Sequence, residues 1–235
     1  MRRHQFLTAL LALAAAPTRA QPSTRITVST NNTPVDRQAL EQLGQEAFRR
    51  IGLQLALTSL PSERSLVAAN QGEVDGEGLR IAGLEANYPN LVRVPERFIG
   101  VSFVAFARNA SIPVAGGWPA LKPYRVAFIN GWKLFEAQVT AAQSIHKVDK
   151  AEQLFQMLAH DRIDLALYTR ADGLAMARSM GLNDVVALSP ALKDVDMYLY
   201  LHKRHEAIVP QLAKALHDMK SDGCGRRIMA SVAGA

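Results

Sequence analysis

Hydrophobic and polar positions change period repeatedly along this 235-residue chain. RITVST, residues 25–30, is β-branched and alternating, the pattern of a strand. Residues 34–51 then carry Leu40, Leu43, Ala47, Phe48 and Ile51 at spacings of three and four, which predicts an amphipathic helix closed by Gly52. A strand at 53–57 and a helix at 62–71, with Pro61 before it and Gly72 after it, complete this unit. Residues 74–76 and 92–95 read as short strands, and GVSFVAFAR, 100–108, as a longer one. The loop expected between the short strands holds Gly76, Glu77, Gly78, Leu79 and Arg80, just past a strand end, where open α/β sheets bind ligands.

Residues 110–122 hold Pro113, Gly116, Gly117 and Pro119 and mark a lobe boundary. The pattern then restarts. YRVAFI at 124–129 predicts a strand, 132–142 and 150–160 helices, IDLAL at 163–167 a strand, and 171–180 a helix closed by Gly181. Strands at 185–188 and 197–203 follow, and a final helix at 205–221 stops at Gly223. The halves share an order, and GEVD at 72–75 corresponds to DRID at 161–164. Alternating strands and helices imply parallel sheets covered on both faces, here as two α/β lobes with a cleft between them.

The first twenty residues stand outside this pattern. Arg2 and Arg3 precede an apolar run at 6–16, and Thr18-Arg19-Ala20 leads into polar residues, as in a cleavable secretory signal peptide. The run is short for a membrane anchor, which takes roughly 20 residues. Removing residues 1–20 lowers the net charge from +6 to +3, because the segment holds three arginines and no acid. No basic run interleaves with aromatics, so neither charge nor pattern calls for a nucleic acid. The lone Cys224 excludes an intrachain disulfide and has no histidine close in sequence to activate it. His202 and His205 lack the acid or Cys that would complete a metal site. Phosphate loops and nucleophile elbows are absent, and no cofactor or metal is expected.

Several residues carry candidate binding chemistry, each beside a plainer role. Arg80 offers a bidentate fork to a carboxylate, or a salt bridge to Glu77 or Glu85. Asn130-Gly131-Trp132-Lys133 follows a strand and opens a helix, where free N–H groups favour an anion and Trp132 offers a stacking face, or simply a turn with a half-buried indole. Asn31, Asn32 and Thr33 either hydrogen-bond a ligand or cap the next helix. Glu63 and Arg64 adjoin on a helix, where neighbours do not face each other; Arg64 is placed toward the cleft, against a solvated or intra-lobe role for the two. Glu77 and Asp172 are the loop carboxylates expected near the cleft.

From residue 26 to 232 the chain resembles a bacterial extracellular solute-binding protein of the amino-acid-binding type, the periplasmic component of ABC importers. NQGEVDG after a helix, YPNLVRV followed by FVAFARN, RVAFINGW, DRIDLAL and a closing helix with SDG carry the resemblance. It implies a type II, two-lobe periplasmic-binding-protein-like fold: two α/β sheets joined by two hinge strands near 103–108 and 197–201. Lobe I would take residues 21–105 with 200–235 returning to it, and lobe II residues 106–199. It also implies hinge closure on a small solute, a monomer, a periplasmic location and a membrane permease as partner. The chain departs from the family where its amino-acid binders hold the ligand. Their carboxylate-gripping arginine falls near Asn87 here, and Thr169 occupies the place of the aspartate that holds the ligand ammonium. The expected ligand-binding set is therefore Asn32, Arg64, Glu77, Arg80, Asn130, Gly131, Trp132 and Thr169, without catalytic residues. An exported enzyme on the same scaffold, such as a cyclic-acid dehydratase, or a ligand-presenting sensor subunit are the alternatives.

Overall fold

The computed structural model describes residues 25–30 and 33–233. The signal-peptide segment and Asn32 lie outside the described residues. The first lobe begins with β1 (Arg25–Thr30), α1 (Pro34–Arg50), β2 (Gln54–Ser59), α2 (Ser62–Gln71) and β3 (Gly76–Arg80). The short β4 (Leu91–Arg93) and the long β5 (Ile99–Ala107) lead out of it. The second lobe holds β6 (Arg125–Ile129), α3 (Lys133–Gln138), β7 (Ser144–Val148), α4 (Ala151–Ala159), β8 (Leu165–Thr169), α5 (Arg170–Ser179) and β9 (Val186–Ala187). Then β10 (Lys193–His202) returns, followed by α6 (Val209–Ser221) and α7 (Cys224–Ala233).

The strands run in the order β2-β1-β3-β10-β5-β8-β6-β7, with β4 on β10 and β9 on β5. β1 is parallel to both β2 and β3, and β6 is parallel to both β7 and β8, so the two lobes repeat one topology. The paired sequences GEVD and DRID mark equivalent corners. The Asp75 carboxylate accepts the Thr27 N–H at 2.8 Å, and the Asp164 carboxylate accepts the Arg125 N–H at 2.8 Å. In both, the aspartate ties the turn before one strand to its parallel neighbour.

Two strands join the lobes. β5 pairs antiparallel with β10 from Ile99 to Phe103 against Lys193 to Met197. Beyond Phe103 it pairs with β8, while β10 beyond Met197 pairs with β3 and β4. The crossing therefore lies several residues before the stretches expected for it. One apolar core surrounds Phe106, Phe128, Phe155 and Leu167 in the second lobe, and another surrounds Val28, Leu40, Phe48 and Leu212 in the first.

Four local expectations are corrected. Residues 76–80 are not a loop but strand β3, all five buried. Its glycines are steric: a Cβ on Gly78 would overlap the Leu40 side chain of α1, which packs directly on the strand. Leu79 takes φ 63°, and the pairing with β10 shifts register between Tyr198 and Tyr200, so the strand is kinked just before Arg80. α3 ends at Gln138, earlier than the helix expected to 142, and β7 follows where no strand was expected. The helix expected at 205–221 ends before Gly223, at φ 73°, but it is not the final one, because α7 begins at Cys224. Among the described residues no helix is long and apolar enough to cross a membrane.

Candidate functional site

The carboxyl ends of β1, β2, β6 and β8 face one another across the gap between the lobes. The ends of α1, α2, α3 and α5 that follow them carry their N-termini to the same place. The lobes are closed on each other. Val35 N–H, in the first turn of α1, donates to Asp172 Oδ1 of α5 at 2.7 Å. Lys133 Nζ meets Glu63 Oε2 at 2.6 Å, joining the start of α3 to α2. Gly131, at φ 79°, lies so close that a Cβ there would sit 2.6 Å from the Glu63 backbone nitrogen. Glu63, expected in a solvated or intra-lobe role, is thus a bridging residue.

Closure leaves two spaces. One, of about 40 Å³, is lined by Asp36, Arg80, Phe103, Trp132, Lys133 and Thr169 among others. A larger one, of about 430 Å³, opens between Thr33, Pro61 and Ser62 on one side and Trp132, Lys150 and Tyr168 on the other. Trp132 forms a wall of both. Its ring is stacked 4.8 Å from Tyr168 and 5.8 Å from Phe135, with Phe103 edge-on at 5.7 Å. The stacking face expected of Trp132 is engaged here with rings of the chain itself. Its Nε1–H is different. The side chain is 93% buried, and Nε1 has no hydrogen-bond partner among the described residues. A buried donor left unmade costs about 1–3 kcal/mol, so it calls for an acceptor.

Arg80 lines the smaller space, and Glu77 lies beneath it. Glu77 is fully buried; its carboxylate accepts from Ser29 Oγ at 2.7 Å, from Ser65 Oγ and from Arg80 Nε at 2.6 Å, and its Oε1 lies 2.5 Å from Arg80 Nη2 in an ion pair. Burial pushes its carboxyl above the ordinary glutamate range, and Arg80 with the two serines offsets this only in part. Arg80 also donates to Ser62 Oγ and to the Ser62 carbonyl, each at 2.7 Å. Of the two salt bridges open to Arg80, the structure takes Glu77; Glu85 lies 3.7 Å from Arg93 instead.

The remaining expected residues are placed as follows. Gly131 and Trp132 are buried in the cleft, and Asn130 is half-buried, its N–H bonded to the Val148 carbonyl. Arg64 is on the exposed face of α2. Thr169 is buried, and its Oγ1 donates to Asp172 Oδ2 at 2.9 Å. Asp36, in the first turn of α1, was not among the expected residues, yet its carboxyl meets that of Asp172. Burial, then the charge of Asp172, drives the Asp36 carboxyl well above the ordinary aspartate range. Asp172 is raised too, mainly by burial. Partial burial opposes the charge of Lys133, but Glu63 and Glu136 outweigh it and raise the ammonium above the ordinary lysine range. Among the described residues no cluster of three or more His, Cys, Asp or Glu is placed to hold a metal ion.

No protein-family model matches the chain. A protein of Shewanella oneidensis described as uncharacterized is 25% identical over 199 residues, 80% of this chain and 73% of that one. The chain is also similar to solved structures, three of which illustrate the range. A histidine kinase sensor domain with similarity to periplasmic binding proteins superposes with a TM-score of 0.76 at 17% identity, over 89% of this chain and 96% of that one. An ancestral arginine-binding protein bound to glutamine gives 0.75 at 16% identity, over 92% and 100%. An ABC uptake transporter substrate binding protein from Streptococcus pneumoniae with bound histidine gives 0.73 at 15% identity, over 90% and 93%. At these identities the likeness is one of fold: the chain has the two-lobed periplasmic-binding-protein-like architecture.

Two outcomes follow from the geometry. Arg80→Ala leaves Glu77 buried without its counter-ion and lowers stability by about 3–5 kcal/mol in urea unfolding at neutral pH. The deficit narrows as pH falls, because a protonated Glu77 no longer needs a cation, and a constant deficit would contradict this account. Gly131→Ala sets a Cβ against the Glu63 backbone and penalises φ 79°, so it shifts the lobes toward an open form, read as a larger radius of gyration in X-ray scattering.

Proposed function

We propose that this chain binds a small polar, carboxylate-bearing solute between its lobes by hinge closure, and passes it to the permease of an ABC-type importer in the periplasm. The observation that carries the reading is the Trp132 Nε1–H, a rigidly held donor without a partner among the described residues, on a side chain that walls the cleft between the two lobes. The N-termini of α2 and α4 border the larger space beside it, and their positive ends suit an acceptor oxygen. The solute, amino acid or related acid, serves as the only small-molecule partner in this reading; the chain acts as a monomer, without cofactor or nucleic acid, and performs no chemistry.

A sensor role is the second reading, favoured by the likeness to a histidine kinase sensor domain. There the closed, loaded form would be presented to a membrane kinase instead of a permease.

A thermal-shift screen over amino acids, organic acids and amines tests solute binding. A true ligand at a hundredfold excess over its Kd stabilises by about 2.7 kcal/mol, a rise of roughly 5–10 °C for a chain of this size. A flat response across the library would sink the proposal, and turnover of the bound solute, followed by mass spectrometry, would move the reading to an enzyme. With a ligand in hand, Trp132→Phe keeps the ring stack but deletes the donor, and weakens binding roughly 3- to 10-fold, the value of one hydrogen bond.

A further inference from the structure

We propose that Asp36 and Asp172 form a one-proton latch between the lobes: the closed form holds a single proton shared by the two carboxyls, and the lobes part as that proton is lost. This rests on the hinge-closing reading above, and adds to it a proton as a second ligand of the closed state.

The two residues come from opposite lobes. Asp36 is in the first turn of α1, and Asp172 is in the first turn of α5; both are buried, Asp172 completely. The oxygens of Asp172 already accept two neutral donors, Val35 N–H at 2.7 Å and Thr169 Oγ1–H at 2.9 Å. These bonds hold its charge in place, so the proton is needed at the contact with Asp36. Two carboxylates in contact away from water cannot both stay ionised. They titrate as a pair whose first proton is lost at the higher pH.

The surrounding charges do not supply a substitute for that proton. Arg80 of β3 and Lys133 at the start of α3 line the same small space as Asp36. Arg80 is bonded to Glu77 and Ser62, and Lys133 to Glu63 and Glu136. Arg37, next to Asp36 on α1, reaches Ser59 of β2, and Arg170 of α5 reaches the Leu188 carbonyl at 3.2 Å. Tyr168 of β8 faces the pair from the second lobe, with Glu152 of α4 near its hydroxyl. Tyr168 is uncharged, held above the ordinary tyrosine range by burial and by both aspartates, and Glu152 adds only negative charge. Among the described residues neither aspartate has an ion-pair partner.

The sign follows from linkage. In an open form the carboxyls are hydrated and ionise in the ordinary range, about pH 4. In the closed form they are raised. Closure therefore takes up a proton, is unopposed below the open-form range, and is progressively lost as pH rises toward the closed-form value. Between those limits the ratio of closed to open protein falls by up to about tenfold per pH unit.

The test uses the solute-free protein, so it does not depend on any ligand being found. Small-angle X-ray scattering is recorded from about pH 5 to about pH 9. The wild-type radius of gyration rises with pH, while Asp36→Asn, whose neutral amide stands in for the protonated acid, stays compact throughout. A wild-type radius that does not change over this range would overturn the latch, and so would an Asp36→Asn profile that rises like the wild type. Should Asp36→Asn fail to fold, Asp172→Asn is held to the same two criteria, since it neutralises the same contact from the other lobe.

Discussion

Everything in the cleft depends on two strands that belong to both lobes at once. β5 and β10 are hydrogen-bonded to each other only between the lobes, over Ile99–Phe103 and Lys193–Met197, and each then leaves for a different sheet. An antiparallel pair of this kind bends and twists over a few residues while its ladder stays intact. At the surface of the crossing Ser102 and Arg97 meet Asp194 and Asp196, while Val101 and Val195 pack against both cores. The two cores meet at these valines, so a change in the mutual angle of the lobes is borne there. Because β1–β3 and β6–β8 repeat one parallel topology on either side of this crossing, their carboxyl ends are turned toward a common gap.

The contacts that close the gap are of another kind. Val35 to Asp172, Lys133 to Glu63 and Asp36 to Asp172 are polar or ionic and few. Polar contacts give up hydration to form, so their net worth is small and they select one geometry more than they stabilise it. That suits a surface which must meet and separate. Rigidity comes instead from within each lobe. The stack of Phe135, Trp132 and Tyr168 fixes one wall, and the Glu77–Arg80 network fixes the other. A moving hinge thus brings together two preorganised faces, which keeps the ordering cost of binding low.

What could be read from the sequence follows from where the signal lies. The helix of Leu40, Leu43, Ala47 and Phe48 was legible because one face is buried along its whole length. The turns at Asp75 and Asp164 were legible because a local hydrogen bond to the neighbouring strand demands the same residue twice. β3 was not, since two of its five residues are glycines, and their reasons are tertiary: Leu40 of α1 approaches Gly78 and the Tyr200 carbonyl of β10 approaches Gly76. β7 is an edge strand with His146 and Lys147 exposed, so it carries almost no apolar pattern. For the site, the turn at Gly131 and Trp132 was visible from its strand-to-helix position. Asp36 looked like an ordinary first-turn acid of a helix, and only closure against Asp172 gives it a second meaning. Pairing across a hinge leaves no trace in local periodicity.

Arg80 shows how far residue chemistry alone carries. Arginine at the carboxyl end of a strand reads as a fork for a carboxylate. A guanidinium has five N–H donors, and a bidentate grip takes two in parallel. Here Nε serves Glu77, Nη2 serves the Ser62 carbonyl, and Nη1 serves Ser62 Oγ. Two N–H groups remain, but the guanidinium charge is paired with the lobe's own carboxylate. That charge is largely cancelled by Glu77, and Lys133 is likewise held by Glu63 and Glu136. Both cations that line the smaller space are thus neutralised within the protein. Recognition of an acidic group in such a cleft falls to neutral donors, the Trp132 N–H and helix N-termini, which discriminate by direction rather than by charge.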